Sequence, residues 1–336
     1  MMSIKKIFMA TINADHPQKG MLHAFQGVFG KDNVYHYDYM QRMRDTNWGV
    51  EFVNREFLLQ AKAFNPDWAW LQLQNTHIIA QTTLNRLREE LPKCVVSHWM
   101  GDIRTEIGDY LSSVCRSTHL TLTSSVGYLP LYERAGAKEA KYLQIGLDWE
   151  EDIDGIPDWT PPFQVSEVIF IGNYYGTTFP GVDERRGAVK ALMQAGVNVG
   201  VVGSGWGGVP LIGSCLVKQQ VHVWKRAKVA ISVNHFPDVE GYYSDRHLTA
   251  LVSGTPLVCR YIPGLEREFQ NGVHLRWYKT EAELVEIVKE LLADEPQRKR
   301  LGAAGRAEVI RRHSWFSRIL EVLPDIERIH TSLGAT

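Results

Sequence analysis

A chain of 336 residues exceeds what one hydrophobic core usually serves, so two domains are expected, and 44% hydrophobic with 22% charged residues is ordinary for a globular protein. A net charge of −1, with 16 basic and 16 acidic side chains in residues 1–150, excludes a bulk field that would recruit nucleic acid. The four cysteines, Cys94, Cys115, Cys215 and Cys259, form no C-x-x-C pair. The N-terminal apolar run is too short for a signal peptide and no stretch reaches the length of a membrane span, so a cytoplasmic protein with free thiols is expected.

In chain order, Ile4 to Thr11 reads as a strand, Met21 to Phe29 as a helix, Val34 to Tyr37 as a strand and Val50 to Phe64 as a long helix. Trp68 to Leu73 is a third strand, after which Asn75 or Thr76 can cap a helix running to Glu90. Strands over 93–98, 120–123 and 140–144 complete the series. Strand and helix alternating in this way predict a parallel sheet covered on both faces. The acidic, proline-rich run 148–162 interrupts the periodicity and reads as a linker. Alternation then restarts, with strands at 168–172, 197–202, 229–233, 256–259 and 273–277, and helices at 183–195, 218–227, 244–252, 281–292 and 295–312. The expected organisation is an N-terminal Rossmann-like domain over 1–150, a linker over 151–164, a second Rossmann-like domain over 165–313, and a C-terminal helix and tail over 314–336. Nothing in the pattern of that last helix says which domain it packs against. The basic run Arg298, Lys299, Arg300, Arg306, Arg311 and Arg312 reads as a solvated helix face.

Open parallel sheets bind ligands beyond the carboxyl ends of their strands, where loops lead into helix N-termini that favour anions. Four such loops of the second half are candidates: Gly172-Asn173-Tyr174, Gly203-Ser204-Gly205-Trp206, Asn234-His235, and Tyr242-Tyr243-Ser244-Asp245-Arg246. Ser244 is a good N-cap, and Arg246 adds a guanidinium suited to phosphate oxygens, so a diphosphate is expected there. The run 203–208 matches G-x-G-x-x-G, yet Val209-Pro210-Leu211-Ile212-Gly213 follows where a dinucleotide site needs a helix, and Lys225, Arg226 and Lys228 stand where an acidic residue belongs. A dinucleotide-dependent oxidoreductase is thereby the weaker alternative. Asp152 and Asp154 fall in the linker, and no metal site is expected.

In the first half, the strand over 93–98 ends in His98-Trp99-Met100-Gly101-Asp102-Ile103-Arg104. Asp102 is a candidate general base for an acceptor hydroxyl, or alternatively a cap or an ion pair with Arg104. His16, beside Asp15 after the first strand, is the reserve base. Tyr35, Tyr37, Tyr39, Trp48, Trp68 and Trp70 read mostly as core, with stacking on a sugar or base as the alternative.

Phe170-Ile171-Gly172-Asn173, Gly203-Ser204-Gly205-Trp206, the run from Trp224 to Asn234, Gly241-Tyr242-Tyr243-Ser244-Asp245-Arg246-His247, Ala250 to Val258, Pro263-Gly264-Leu265-Glu266 and Gly302-Ala303-Ala304-Gly305-Arg306 resemble, in order, the CgeB-like glycosyltransferases of the "glycosyl transferases group 1" type. The segments at 98–104 and 142–148 are similar to the same family, less specifically. The resemblance implies a GT-B fold, in which two Rossmann-like domains face one another across a cleft. It also implies a nucleotide-diphospho-sugar donor on the second domain, a hydroxyl acceptor on the first, no cofactor, and usually no catalytic metal. Donor contacts would fall on the four loops above. Relatives commonly carry a glutamate at the position of Thr249, where it holds ribose hydroxyls; Thr249 offers a hydroxyl in its place, with Asp245 or Glu240 as substitutes. A surface glycan, a protein or a hydroxymethylated pyrimidine in phage DNA is the expected acceptor, in a bacterium or a phage-infected cell. A non-catalytic nucleotide- or sugar-binding module is the alternative.

Overall fold

The computed structural model of the chain describes residues 3–12, 19–45, 49–148, 153 and 159–334. Two compact units emerge, one formed by residues up to Ile145 together with Trp315 onward, the other by Gly146–Ser314. Among the described residues no helix is long and apolar enough to cross a membrane.

The first unit is built on a six-stranded sheet with the order β2-β1-β3-β4-β5-β6, comprising β1 (Ile7–Thr11), β2 (Val34–Asp38), β3 (Trp68–Leu71), β4 (Val95–Met100), β5 (Leu120–Thr123) and β6 (Ala140–Tyr142). Every pairing is parallel. Parallel strands joined by helical crossovers are covered on both faces, and β1 shows it: Ile7 and Met9 enter one core, Phe8 and Ala10 the other. The intervening helices are α1 (Lys19–Phe29), α2 (Tyr39–Asp45), α3 (Gly49–Phe64), α4 (Gln81–Glu90), α5 (Asp109–Ser117) and α6 (Leu129–Arg134). Helix α4 starts later than its sequence suggests, because Gln74 and His77 take positive φ (48° and 59°) that no helix admits. Its first turn is held instead by Asn54 of α3, whose Oδ1 accepts from Ala80 N (2.8 Å) and Thr83 Oγ1 (2.6 Å).

Of the aromatic residues with two readings, Tyr37, Tyr39, Trp68 and Trp70 are buried core, Tyr35 stacks on Phe8, and Trp48 lies outside the described residues. The indoles of Trp68, Trp70 and Trp99 form one cluster that a residue from the far end of the chain completes. Trp315 stands edge-on to Trp99 at 4.8 Å and to Trp70 at 6.4 Å.

The second unit carries another parallel six-stranded sheet, in the order β12-β11-β10-β7-β8-β9. Its strands are β7 (Val168–Ile171), β8 (Val199–Val202), β9 (Leu211–Gly213), β10 (Val229–Ser232), β11 (Leu257–Arg260) and β12 (Arg276–Tyr278). The helices are α7 (Val182–Gln194), α8 (Gln220–Trp224), α9 (Asp245–Val252), α10 (Glu281–Ala293) and α11 (Glu295–Arg312). Counted from β7, this is the Rossmann order 3-2-1-4-5-6, so the strand order reverses between β7 and β10. The G-x-G-x-x-G run leads into β9, a strand, which removes the helix that a dinucleotide fingerprint requires.

Helix α12 (Trp315–Gly334) packs on α1 of the first unit. Its buried residues Trp315, Ile319, Val322, Leu323, Ile326 and Ile329 follow helical spacing, and Lys141–Asp325 and Arg328–Glu139 ion pairs flank them. In the basic run of α11, Lys299, Arg300, Arg311 and Arg312 are exposed, as a solvated face requires, and several members also bond locally. Arg298 caps the last carbonyls of α10, Arg306 donates to Val252 O at the end of α9, and Arg311 and Arg312 pair with Glu308.

Candidate functional site

Strand β7 ends at Ile171 and β10 at Ser232, side by side in the sheet, so the loops beginning at Gly172 and Val233 leave it at the topological switch point. The loop after β8 lies on the other side of β7. Asn173 Oδ1 accepts from both the backbone N (2.9 Å) and the hydroxyl (3.0 Å) of Ser204, Tyr174 N donates to Ser204 O (2.9 Å), and Trp206 Nε1 donates to Gly172 O (2.7 Å). These bonds fasten the Gly172-Asn173-Tyr174 loop to the Gly203-Ser204-Gly205-Trp206 loop.

The glycines have a different reason from the one their sequence context suggests. A Cβ on Gly203 would overlap the Gly172 carbonyl, and one on Gly205, where φ is 77°, would overlap the Tyr174 carbonyl. They let one loop lie against the other. A Cβ on Gly172 would come to 3.2 Å of the Phe170 ring and 3.8 Å of Arg246 Nε, which places the Arg246 guanidinium beside the end of β7. Tyr174 lies between Arg186, whose guanidinium carbon is 4.1 Å from the ring centroid, and the Trp206 ring at 5.3 Å.

The second loop of the switch point is fixed by two buried side chains. Asn234 Oδ1 accepts from Ser244 N (3.0 Å), which ties the loop after β10 to the start of α9. Arg185, on the first turns of α7 and fully buried, donates from Nε to Val233 O (2.8 Å) and from Nη1 to Asn173 O (3.0 Å), with His235 Nε2 2.9 Å from the same Nη1. One guanidinium therefore joins both loops. Among the described residues no carboxylate lies within ion-pair distance of it. Burial, then Arg246, pushes its pKa down to about 9. No motif pointed to Arg185. Its signal is positional, since it shares the helix face of Val182, Ala188, Val189 and Leu192 where only apolar residues belong.

At the start of α9 the structure corrects the cap. Ser244 has the extended backbone of an N-cap residue but makes no capping hydrogen bond. The amides it would serve are already occupied: Arg246 N donates to Asp245 Oδ1 (2.9 Å) and His247 N to Ser244 O (3.0 Å). The Ser244 hydroxyl is buried without a partner, as are Asn234 Nδ2, Arg185 Nη2 and His235 Nδ1. Arg246 remains partly exposed, with Asp245 Oδ1 3.9 Å from its Nη1.

Other expected site residues lie deeper. Tyr243 is buried, its hydroxyl 3.3 Å from His313 Nδ1 and its ring against His247 and Phe269. Tyr242 stands edge-on to Phe236. Thr249 is 1% exposed and donates its hydroxyl to Asp245 O, one turn back in the same helix. His235 and His247 are both held neutral, their pKa values lowered to about 3, by burial first and then by nearby guanidinium groups.

In the first unit, Asp102 follows β4 with its side chain 63% exposed and 3.8 Å from Arg104 Nη2, the ion pair foreseen as its structural alternative. Gly101 is required because a Cβ there would overlap the Trp99 indole. His98 is fully buried within β4, and burial lowers its pKa to about 3. His16 and Asp15, like Asp152 and Asp154, lie outside the described residues.

Residues 185–323 match the family model described as "Glycosyl transferase-like", a span that begins at Arg185 and contains the loops after β8 and β10 and helix α9. Among curated proteins no match is found. A glycosyltransferase from Rickettsia africae is similar in fold at 12% identity and a TM-score of 0.64, over 96% of this chain and 99% of that one. HepE of Anabaena, solved in complex with UDP, is similar at 12% identity and a TM-score of 0.64, over 97% and 100%. The N-terminal domain of trehalose-6-phosphate phosphatase from Candida albicans is similar at 10% identity and a TM-score of 0.63, over 98% and 97%. With two parallel Rossmann-like sheets along one chain, and these neighbours over nearly all of it, the protein has the GT-B fold.

Proposed function

We propose that the protein is a glycosyltransferase that moves a sugar from a nucleotide-diphospho-sugar to a hydroxyl acceptor, with the donor held at the switch point of the second unit. The observation that carries this is a set of buried donors without an acceptor, Arg185 Nη2, Asn234 Nδ2 and Ser244 Oγ, on loops fastened to one another where Rossmann sheets bind ligands. A buried donor left unsatisfied costs about 1–3 kcal/mol, and a buried guanidinium without a counter-charge costs several kcal/mol. An anion with several oxygen acceptors removes these penalties together, and a diphosphate is such an anion. Arg246, beside Gly172 and open to solvent on one side, is suited to the leaving diphosphate, whose charge grows as the glycosidic bond breaks. HepE, similar in fold, was solved with UDP and with UDP-glucose, which supports a uridine nucleotide as the first donor to try.

On this reading Gly172, Asn173, Tyr174, Gly203, Gly205 and Trp206 shape the donor site through their loop contacts, and Arg185, Asn234, His235, Ser244 and Arg246 reach the ligand. Asp245 supplies the carboxylate for the ribose that the position of Thr249 lacks. The acceptor binds the first unit, with Asp102 as general base and His16 in reserve; its classes are a surface glycan, a protein, or a hydroxymethylated pyrimidine in DNA. The transferred group is a hexosyl or pentosyl unit.

The test is incubation of the purified protein with a panel of nucleotide sugars and acceptors, following nucleotide release and sugar transfer by mass spectrometry. Nucleosides from treated hydroxymethylcytosine DNA decide that branch. Arg246→Ala is expected to lower turnover at least about a hundredfold, the scale of losing one preorganised charge-stabilising group. An unimpaired variant would sink the assigned donor site. Thermal stabilisation by a nucleotide sugar without turnover would identify a binding module in place of an enzyme.

A further inference from the structure

His235 is the polar side chain of the switch point whose chemistry is undetermined by its residue type alone. A neutral imidazole has one donor and one acceptor nitrogen, and its neighbours decide which is which. Its Nε2 lies 2.9 Å from Nη1 of Arg185, and a guanidinium nitrogen can only donate. Nε2 is therefore the acceptor, and the proton resides on Nδ1. That nitrogen is buried and has no hydrogen-bond partner, and the rings of Phe179 (4.4 Å) and Tyr175 (5.4 Å) lie against the imidazole. The charged groups acting on it are Arg185 from α7 and Arg246 from α9, both cationic, with Tyr175 the neighbouring phenol. Burial and the two guanidinium groups exclude a second proton, the pKa falling to about 3. Arg185 is itself immobilised by Val233 O and Asn173 O, so its Nη1 has one position relative to the ring.

We propose that Arg185, besides the contact of its Nη2 with the diphosphate, acts through Nη1 to lock His235 in its Nδ1–H tautomer, so that the imidazole offers a fixed, neutral hydrogen-bond donor to an oxygen of the bound nucleotide sugar. The proposal rests on the donor-site reading above. It gives the site a donor that does not titrate at physiological pH, unlike an ordinary histidine with a pKa near about 6.5.

The first measurement needs no ligand. Long-range proton–nitrogen NMR of the full chain labelled with ¹⁵N-histidine, with His235 assigned by its loss in His235→Asn, reads the tautomer directly. Nδ1–H, unchanged from about pH 8 to about pH 5, is expected; Nε2–H, or protonation within that range, would overturn the proposal. In Arg185→Gln the guanidinium that fixes Nε2 as the acceptor is gone, so both neutral tautomers of His235 are expected to be populated, with its pKa raised but still below an ordinary imidazole's because burial and Arg246 remain. An imidazole that stays wholly Nδ1-protonated in that variant would contradict the role of Arg185.

The second measurement is calorimetric binding of UDP-glucose, whose diphosphate does not titrate in this range. His235→Ala is expected to weaken binding about tenfold or more, while His235→Asn, whose amide nitrogen takes the place of Nδ1, restores most of it. Equal losses in the two variants would contradict a donor at Nδ1. Wild-type affinity is expected to be flat across the pH range. If His235 is Nδ1–H but no nucleotide sugar of a panel binds, the donor-site reading falls and the donating role with it, while the tautomer lock stands as a structural fact.

Discussion

Gly203 and Gly207 look equivalent in the sequence and differ entirely in the fold. A Cβ at 203 would strike the Gly172 carbonyl, whereas Gly207 has open space around it. Gly203→Ala is expected to destabilise the second unit by about 1–3 kcal/mol, in the manner of an overpacked core, and to weaken nucleotide-sugar binding by separating the two loops. Gly207→Ala is expected to stay within about 0.5 kcal/mol of the parent. Urea unfolding of both variants checks this, and equal effects would show that loop packing is not what requires the glycine. The same contrast explains what was legible at this scale. Glycine-rich strand ends identify the loops, but whether a glycine serves a ligand or a neighbouring carbonyl depends on a contact some thirty residues away in sequence. Arg185 was concealed in another way, inside the charged run Asp183-Glu184-Arg185-Arg186 that opens a helix and looks solvated. Ser244 was read correctly as the residue before α9, but its hydroxyl was assigned to amides that Asp245 and the backbone already occupy.

At the scale of elements, the alternation of apolar runs and amphipathic segments located the longer strands and helices closely, because burial of a parallel sheet on both faces leaves a strong imprint. Short elements left little. Strand β9 has three residues at a sheet edge, with Leu211 exposed, and its proline-containing approach resembles a loop. The placement of α12 was illegible from its own sequence, since its apolar stripe requires a partner without naming one. The partner is the tryptophan cluster of β3 and β4, into which Trp315 inserts. Trp315→Ala is expected to cost about 3–5 kcal/mol by loss of buried aromatic contacts. A fall in the denaturant midpoint well under that range would show that α12 is held chiefly by its flanking ion pairs, Lys141–Asp325 and Arg328–Glu139.

For the whole molecule, four histidines distributed over both units, His98 and His247 fully buried and His119 and His235 partly so, tie stability to pH. His98, His235 and His247 have pKa values lowered to about 3 and His119 to about 4, in each case chiefly by burial. Because the unfolded chain takes up these protons near pH 6.5 and the folded chain does not, the stabilisation is complete above that pH and is lost progressively as pH falls toward about 3. The fully buried pair His98 and His247 contribute a slope of about 1.4 kcal/mol per pH unit each over this window. Urea midpoints measured from pH 7 to pH 4 are expected to fall steadily. The slope is expected to be shallower in His98→Gln, and a midpoint independent of pH would contradict the neutral buried histidines.

The topology of the second sheet joins these scales, since the reversal between β7 and β10 brings Arg185, Asn234, His235, Ser244 and Arg246 to one place. The central claim is that this place receives the diphosphate of a nucleotide sugar. A crystal structure of the chain grown with the nucleoside diphosphate that binds best in a panel tests it most directly. Phosphate oxygens are expected within hydrogen-bonding distance of Arg246, Ser244 Oγ and Arg185 Nη2, and a nucleotide bound on the first unit, or away from the ends of β7 and β10, would contradict it.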